Sequence, residues 1–214
     1  GWKWPDDEAK AEKAKEKNAL YNDALKAGQY RQSANHLSWL LTNAPDLNKS
    51  LYINGAKVYD ELASSTKEAT KKSQYEDSTL MMYDLRIQYF DEKDSVLNRK
   101  VFAAYKFFKD SQDKYEELYN MFKESIELNG ANTWDNNVLA YFDVVRRYQK
   151  ASKPFSKDQV LEIFGQVEEI LDKKQKSSTG ADAEKLAMIR DQVENMLVEM
   201  IEVDCNFIAN TLGP

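Results

Sequence analysis

The chain has 214 residues, 42% of them hydrophobic and 31% charged, which suffices for one large domain or a continuous stack of helices. Its 30 Lys and Arg against 36 Asp and Glu give a formal net charge of −6 with no basic tail or stripe, which argues against non-specific binding of nucleic acid. No run approaches the roughly 18 consecutive apolar residues of a membrane helix, and a lone Cys205 allows neither an internal disulfide nor a cysteine metal cluster.

Four prolines and seven glycines are few for this length and favour long helices with short connections. Residues 1–5 read as a cap or frayed arm, with Pro5 in a first helical turn and Asp6, Asp7 and Glu8 at its positive end. Residues 9–17 alternate Lys, Glu and Ala, a solvated helix face in which Glu12–Lys15 and Lys13–Glu16 attract. A helical hairpin follows within 7–44. Leu20, Ala24 and Ala27 share one face, Gly28 releases the chain through positive φ, and Ser33, Leu37, Leu40 and Leu41 recur on the second helix until Pro45 stops it.

The next helix spans about 48–63. Residues 64–73 read as a linker or long turn with a small capping box between Ser65 and Glu68. A helix over about 75–90 has two apolar stripes, Met82/Leu85/Tyr89 and Tyr83/Ile87/Phe90, so it touches neighbours on both sides. A polar turn at 91–94 leads to a stripe of Leu97, Val101, Ala104, Tyr105 and Phe108, broken at 110–113. Tyr115, Leu118, Tyr119, Phe122 and Ile126 make another, stopped by Asn129-Gly130. A helix over about 133–150 carries Trp134, Val138, Tyr141, Phe142, Val145 and Tyr148. Beyond Pro154, Ser156 and Gln159 form a capping box flanked by the staple pair Phe155 and Val160. Gly165 inside that helix suggests a close helix crossing; 173–181 reads as a polar loop, and the last helix covers about 182–208. Cys205 fits a small buried hydrophobe. The Gly-Pro ending suggests that the chain is the N-terminal part of a longer protein, where Cys205 would find a partner.

The hairpin resembles the tetratricopeptide (TPR) family, whose repeat of about 34 residues sets a glycine, an aromatic, small and large apolar positions and a proline in order. Gly28, Tyr30, Ser33, Leu37, Leu40 and Pro45 occupy those positions, with Tyr21 where the family often has glycine and Ser33 where it usually has alanine. A second copy begins at LYINGAKVYDEL, with Gly55 at the close-packing glycine, Val58 and Tyr59 at the large apolar site, and Tyr75, Ser78, Met82 and Leu85 on the partner helix. The clearest repeats cover 18–90, and degenerate hairpins fill 91–214. The resemblance implies one all-α domain over 1–214, a right-handed α-α superhelix (TPR-like solenoid) of about nine antiparallel helices. The chain is also similar to exported repeat proteins of Bacteroidetes-type bacteria through Trp4-Pro5, LYINGAK (51–57) and YDLRIQYF (83–90). That implies a periplasmic or cell-envelope location and leaves the cytoplasm open.

The residues show little catalytic chemistry. No phosphate-binding loop, HExxH or calcium loop is present, and the only histidine, His36, has no nucleophile motif around it. Asp143 and Glu168 are conceivable glycosidase carboxylates, though nothing distinguishes them from the other acids. The expectation is a non-enzyme without cofactor or metal. In the TPR family the first helix of each hairpin lines a concave groove, which implies Asn18, Asn22, Tyr52 and Tyr59 as ligand-binding residues; Trp134 and Asn137 form a secondary patch. Asn can hold a peptide backbone, and Tyr offers flat area and a hydroxyl. The family's carboxylate-gripping set is not matched, because Tyr52 and Ile53 stand where part of it is needed. The reading is therefore an interaction or scaffolding module for an unknown protein or peptide. A cell-surface carbohydrate-binding module and a purely structural segment are the alternatives.

Overall fold

The computed structural model describes the backbone of residues 1–211 and the side chains of residues 1–202. The side chain of Cys205 and the stop at 212–214 lie outside the described residues. Among those described there are nine α-helices, two short 3-10 turns and no strand. The helices gather into two compact units, residues 1–100 and 101–214.

The first unit holds α1 (Glu8–Lys26), α2 (Tyr30–Asn43), α3 (Ser50–Ser65), α4 (Ala69–Phe90) and the start of α5 (Lys93–Phe108). Asp7, not Pro5, sets the first helix start, its carboxylate accepting the Lys10 N–H at 2.7 Å. The pairs Lys13–Glu16 and Lys15–Glu12 form on the exposed face. At the other end Gly28 has φ +69, and the Gly28 and Gln29 amides donate to the Leu25 and Ala24 carbonyls, which is a Schellman stop. The arm at 1–5 is pinned rather than frayed: Lys3 N–H donates to Leu47 O, and Trp4 packs on the core.

The two departures from the TPR pattern are coupled. The Ser33 hydroxyl donates to the Tyr21 carbonyl at 3.0 Å, and the Tyr21 hydroxyl donates to Leu51 O at 3.1 Å. Three successive helices are thus joined by buried hydrogen bonds, which satisfy the polar atoms that burial would otherwise penalise. Gly55 supplies the close approach: a Cβ there would lie 2.8 Å from Met82 Sδ and 2.9 Å from Leu37 Cδ2.

The expected linker at 64–73 shrinks to residues 66–68, because α3 runs on to Ser65 and α4 starts at Ala69. The Ser65–Glu68 capping box does not form. Ser65 Oγ instead donates back to the Glu61 carbonyl at 2.8 Å, and Glu68 is itself the cap residue, without a side-chain cap bond. Between α4 and α5 the chain reverses through two left-handed residues, Asp91 and Glu92, at φ 61 and 62. Glu92 is held there by Lys49 at 2.8 Å and Arg86 at 2.7 Å.

The second unit holds the rest of α5, then α6 (Tyr115–Asn129), α7 (Asp135–Ser152), α8 (Lys157–Lys176) and α9 (Gly180–Thr211). Gly130 at φ +50 stops α6 as the sequence predicts. The Ser156–Gln159 capping box starts α8 with both bonds present. α8 continues to Lys176, so the expected loop at 173–181 is only 177–179. α7 is the central helix, packed on α6, α8 and α9, with Asn137, Val138 and 140–145 all buried. The close crossing expected at Gly165 is absent. A Cβ there would meet nothing within 4 Å, and the residue is exposed.

Candidate functional site

The four residues implied as a groove in the first unit fall into three environments. Asn18 and Asn22 lie one turn apart on α1, but the Asn22 amide donates to Asn18 O at 2.7 Å and to Asn18 Oδ1 at 3.2 Å, so they bind each other. Tyr52 is only 1% exposed, and its hydroxyl donates to Pro45 O at 2.6 Å. It is a core residue and presents no surface to a ligand. Tyr59 is half-buried, stacked on Tyr75 with ring centroids 6.4 Å apart. The reason lies in the helical phase of α3. Its buried face is two lanes wide, Leu51/Gly55/Val58/Leu62 and Tyr52/Ala56/Tyr59/Ala63, which leaves Ile53 and Lys57 facing solvent.

The secondary patch fares differently. Asn137 lines a groove of about 460 Å³ in the second unit, formed by α5, α7 and α9. Trp134, the residue before α7, is 40% exposed and meets Phe102 of α5 edge-on, with centroids 6.2 Å apart at 64°. Phe102 is 50% exposed and lines the same groove, together with Leu139, Gln192 and Met196. Large half-exposed aromatics beside a groove are the side chains that most often anchor a bound partner.

The same groove is lined by Tyr105, Asp143 and Arg147, members of an ionic cluster centred on a buried carboxylate. Asp143 is 5% exposed. It accepts the Tyr105 hydroxyl at 2.6 Å, Arg146 Nη2 at 2.6 Å and Arg147 Nε at 2.7 Å. Arg147 goes on to donate to Lys109 O at 2.8 Å and to Asp110 at 3.1 Å. Burial pushes the Asp143 carboxyl up, but the hydrogen bonds from Tyr105, Arg146 and Arg147 outweigh it and hold the group below the ordinary carboxylate range. Burial, and then the bond to Asp143, pushes the Tyr105 hydroxyl up. A carboxylate saturated in this way is a poor proton donor, so its place is in fixing α5 against α7.

Glu168, the other conceivable acid, pairs with Arg190, which also reaches Asp172 and Gln175. Burial raises its carboxyl above the ordinary range despite Arg190. Among the described residues no group of His, Cys, Asp and Glu is placed to hold a metal ion, and no helix is long and apolar enough to cross a membrane.

Sequence reasoning missed Phe102 as a surface residue. The signal was present: the stripe of α5 runs Val101, Ala104, Tyr105, Phe108, and Phe102 falls outside it. A second groove of the same unit, about 420 Å³, lies along α6 and α8 beside Tyr119, Phe155, Gln159, Glu162 and Gln166. Tyr119 and Tyr141 stack there at 16°. Comparison with protein-family models, curated proteins and solved structures finds no match to this chain, so the functional reading rests on its own residues.

Proposed function

We propose that the chain is an interaction module, a TPR-like helical solenoid that binds a peptide or protein segment, and not a catalyst. The observation that carries the reading is the groove of α5, α7 and α9. Its lining includes the half-exposed Phe102, which meets the half-exposed Trp134 beside the groove, together with Leu139, Met196 and the hydrogen-bonded Asp143. Such a groove offers pre-organised apolar area without a reactive group. The helical-repeat part of the proposal draws support from the Schellman stop at Gly28 and the close approach at Gly55, both on positions shared with the TPR pattern. A periplasmic or envelope location rests only on the phrases that resemble exported repeat proteins.

The rings of Phe102 and Trp134 meet at 64°, which suits clasping a side chain better than lying flat against a sugar. The groove along α6 and α8, with the half-buried Tyr119 and the amide side chains of Gln159 and Gln166, is what favours the carbohydrate reading.

The test is selection of binders from a random peptide display library, followed by binding measurements on a Phe102→Ala/Trp134→Ala variant with an unchanged helical circular dichroism spectrum. Peptides held by the parent and released at least about ten-fold by the variant support the proposal. Peptides held equally by both place the site elsewhere. A chain that selects no peptide but retains glycans on an array favours the carbohydrate reading.

A further inference from the structure

Away from that groove, the first unit contains a site that the proposed function does not use. The exposed lane of α3 borders a groove of about 360 Å³ lined by Ile53, Lys57, Asp60, Tyr83, Arg86 and Arg99. We infer that this groove binds an oxyanionic group, a carboxylate or phosphate, on a ligand whose apolar part lies against Ile53.

Three cations and one carboxylate line the groove, in a chain whose net charge is −6. One cation is built in. Arg86 is 8% exposed, and its Nε and Nη2 both donate to Glu92 Oε2, at 3.2 and 2.7 Å. Glu92 is anchored in turn by Lys49 and by its fixed place in the left-handed turn at 91–92. The guanidinium is therefore held rigidly from one side, and Nη1 has no hydrogen-bond partner among the described residues. A planar guanidinium with a donor to spare is suited to oxyanion recognition.

Two more cations and a tyrosine line the same groove. Lys57 is exposed, and no ion pair engages it among the described residues. Arg99, which already interacts with another group, stands on α5 and Tyr83 on α4. Asp60 offsets one of these charges, and Glu92, outside the groove, offsets another, which leaves a surplus matched to one anion. Ile53, 46% exposed at the same groove, gives an apolar neighbour to whatever carries the charge. The site uses Lys57, Arg86 and Arg99, so it does not need the TPR carboxylate-gripping positions taken by Tyr52 and Ile53.

The test is titration of the full ¹⁵N-labelled chain with inorganic phosphate, acetate, phenyl phosphate and benzoate, followed by NMR. The first pair reads the anion alone, and the second pair reads the contribution of Ile53. Saturable shifts centred on Lys57, Tyr83, Arg86 and Arg99 are expected, with the phenyl compounds tighter than the bare anions. Lys57→Gln/Arg99→Gln should weaken binding about ten-fold or more. Asp60→Asn should tighten it, an outcome that misfolding cannot imitate. Shifts that never saturate, that centre elsewhere, or that are indifferent to both variants overturn the inference. A comparison of phosphate with carboxylate binding shows which oxyanion the site prefers. Because it concerns the first unit only, its failure leaves the groove of α5, α7 and α9 untouched.

Discussion

The two units solve the problem of packing helices by different chemistry. Residues 1–100 carry 16 basic and 16 acidic side chains, whereas 101–214 carry 14 and 20, so the entire net charge of −6 belongs to the second. The core of the first unit is joined by neutral contacts, Ser33 to Tyr21, Tyr21 to Leu51, Tyr52 to Pro45, and the bare Gly55 against Met82, while its ion pairs, Glu92 with Arg86 and Lys49 and Asp84 with Lys100, lie around α4 and the start of α5. In the second, charged networks do more of the joining: Asp143, clamped by two arginines of its own helix, accepts Tyr105 of α5, and Arg190 reaches from α9 to three groups of α8. Neutral hydrogen bonds keep their strength into acid. An ionic cluster weakens once its carboxylate is protonated, and removing one member leaves the others uncompensated.

The largest expected effect follows from that difference. Asp143→Ala strips the acceptor from Tyr105, Arg146 and Arg147 at once and should cost about 3 kcal/mol. Hydrogen exchange should report that loss across 101–214 and leave 1–100 near its parent protection. Equal loss in both units would show that they unfold together and end the contrast.

Acid should separate them in the same way. The folded Asp143 carboxyl lies below its ordinary value of about 3.9, so its contribution is complete above that pH and disappears as pH falls toward the folded value. Glu168 acts in the opposite sense. Its raised carboxyl means that ionisation opposes folding, so protonation on the way down from neutral removes a penalty. Stability of the second unit should therefore rise slightly and then fall on acidification. Glu92 is also held below its usual range, by Lys49 first and then by Arg86, but its side chain is 35% exposed, so the first unit should respond less. Unfolding by urea across an acid series checks the order, and a monotonic curve for 101–214 would contradict it.

How much of this was legible varies along the chain for physical reasons. Helix ends set by backbone chemistry were readable: Gly28, Gly130 and the Ser156–Gln159 box each act through their own few atoms. Loop lengths were not, because polar stretches such as 69–73 and 173–176 are good helix formers, and composition alone does not tell a solvated turn from a solvated helix. Site residues were hardest. Tyr52 and Ile53 are adjacent in sequence but differ by about 100° around α3, so a small error in helical phase exchanges core for surface. The pairing of Tyr105 with Asp143, 38 residues apart, left no local trace at all.

A smaller effect tests the cap that was readable. Ser156→Ala removes the acceptor of the Gln159 N–H, a bond of 3.2 Å, and half of the capping box of α8. The cost should be about 1 kcal/mol, read as a lower urea midpoint. The matching change Ser65→Ala in the first unit should cost less, since Ser65 makes only back-bonds within α3. Equal losses would restore the cap at Ser65 that the structure does not show.

The smallest effect is the most discriminating, because one substitution should change sign between the units. Glycine inside a helix costs about 1 kcal/mol relative to alanine, whatever its surroundings. At Gly165 an added methyl would meet nothing within 4 Å, so Gly165→Ala should recover most of that amount and stabilise the second unit. At Gly55 the same methyl would press on Met82 and Leu37, both fully buried with little room to retreat. Overpacking of about 1–3 kcal/mol then exceeds the helical gain, and Gly55→Ala should destabilise by roughly 1 kcal/mol. Paired urea midpoints decide it. If both variants were stabilised, α3 and α4 could move apart freely, and the close approach at Gly55 would lose its place in the packing of the first unit.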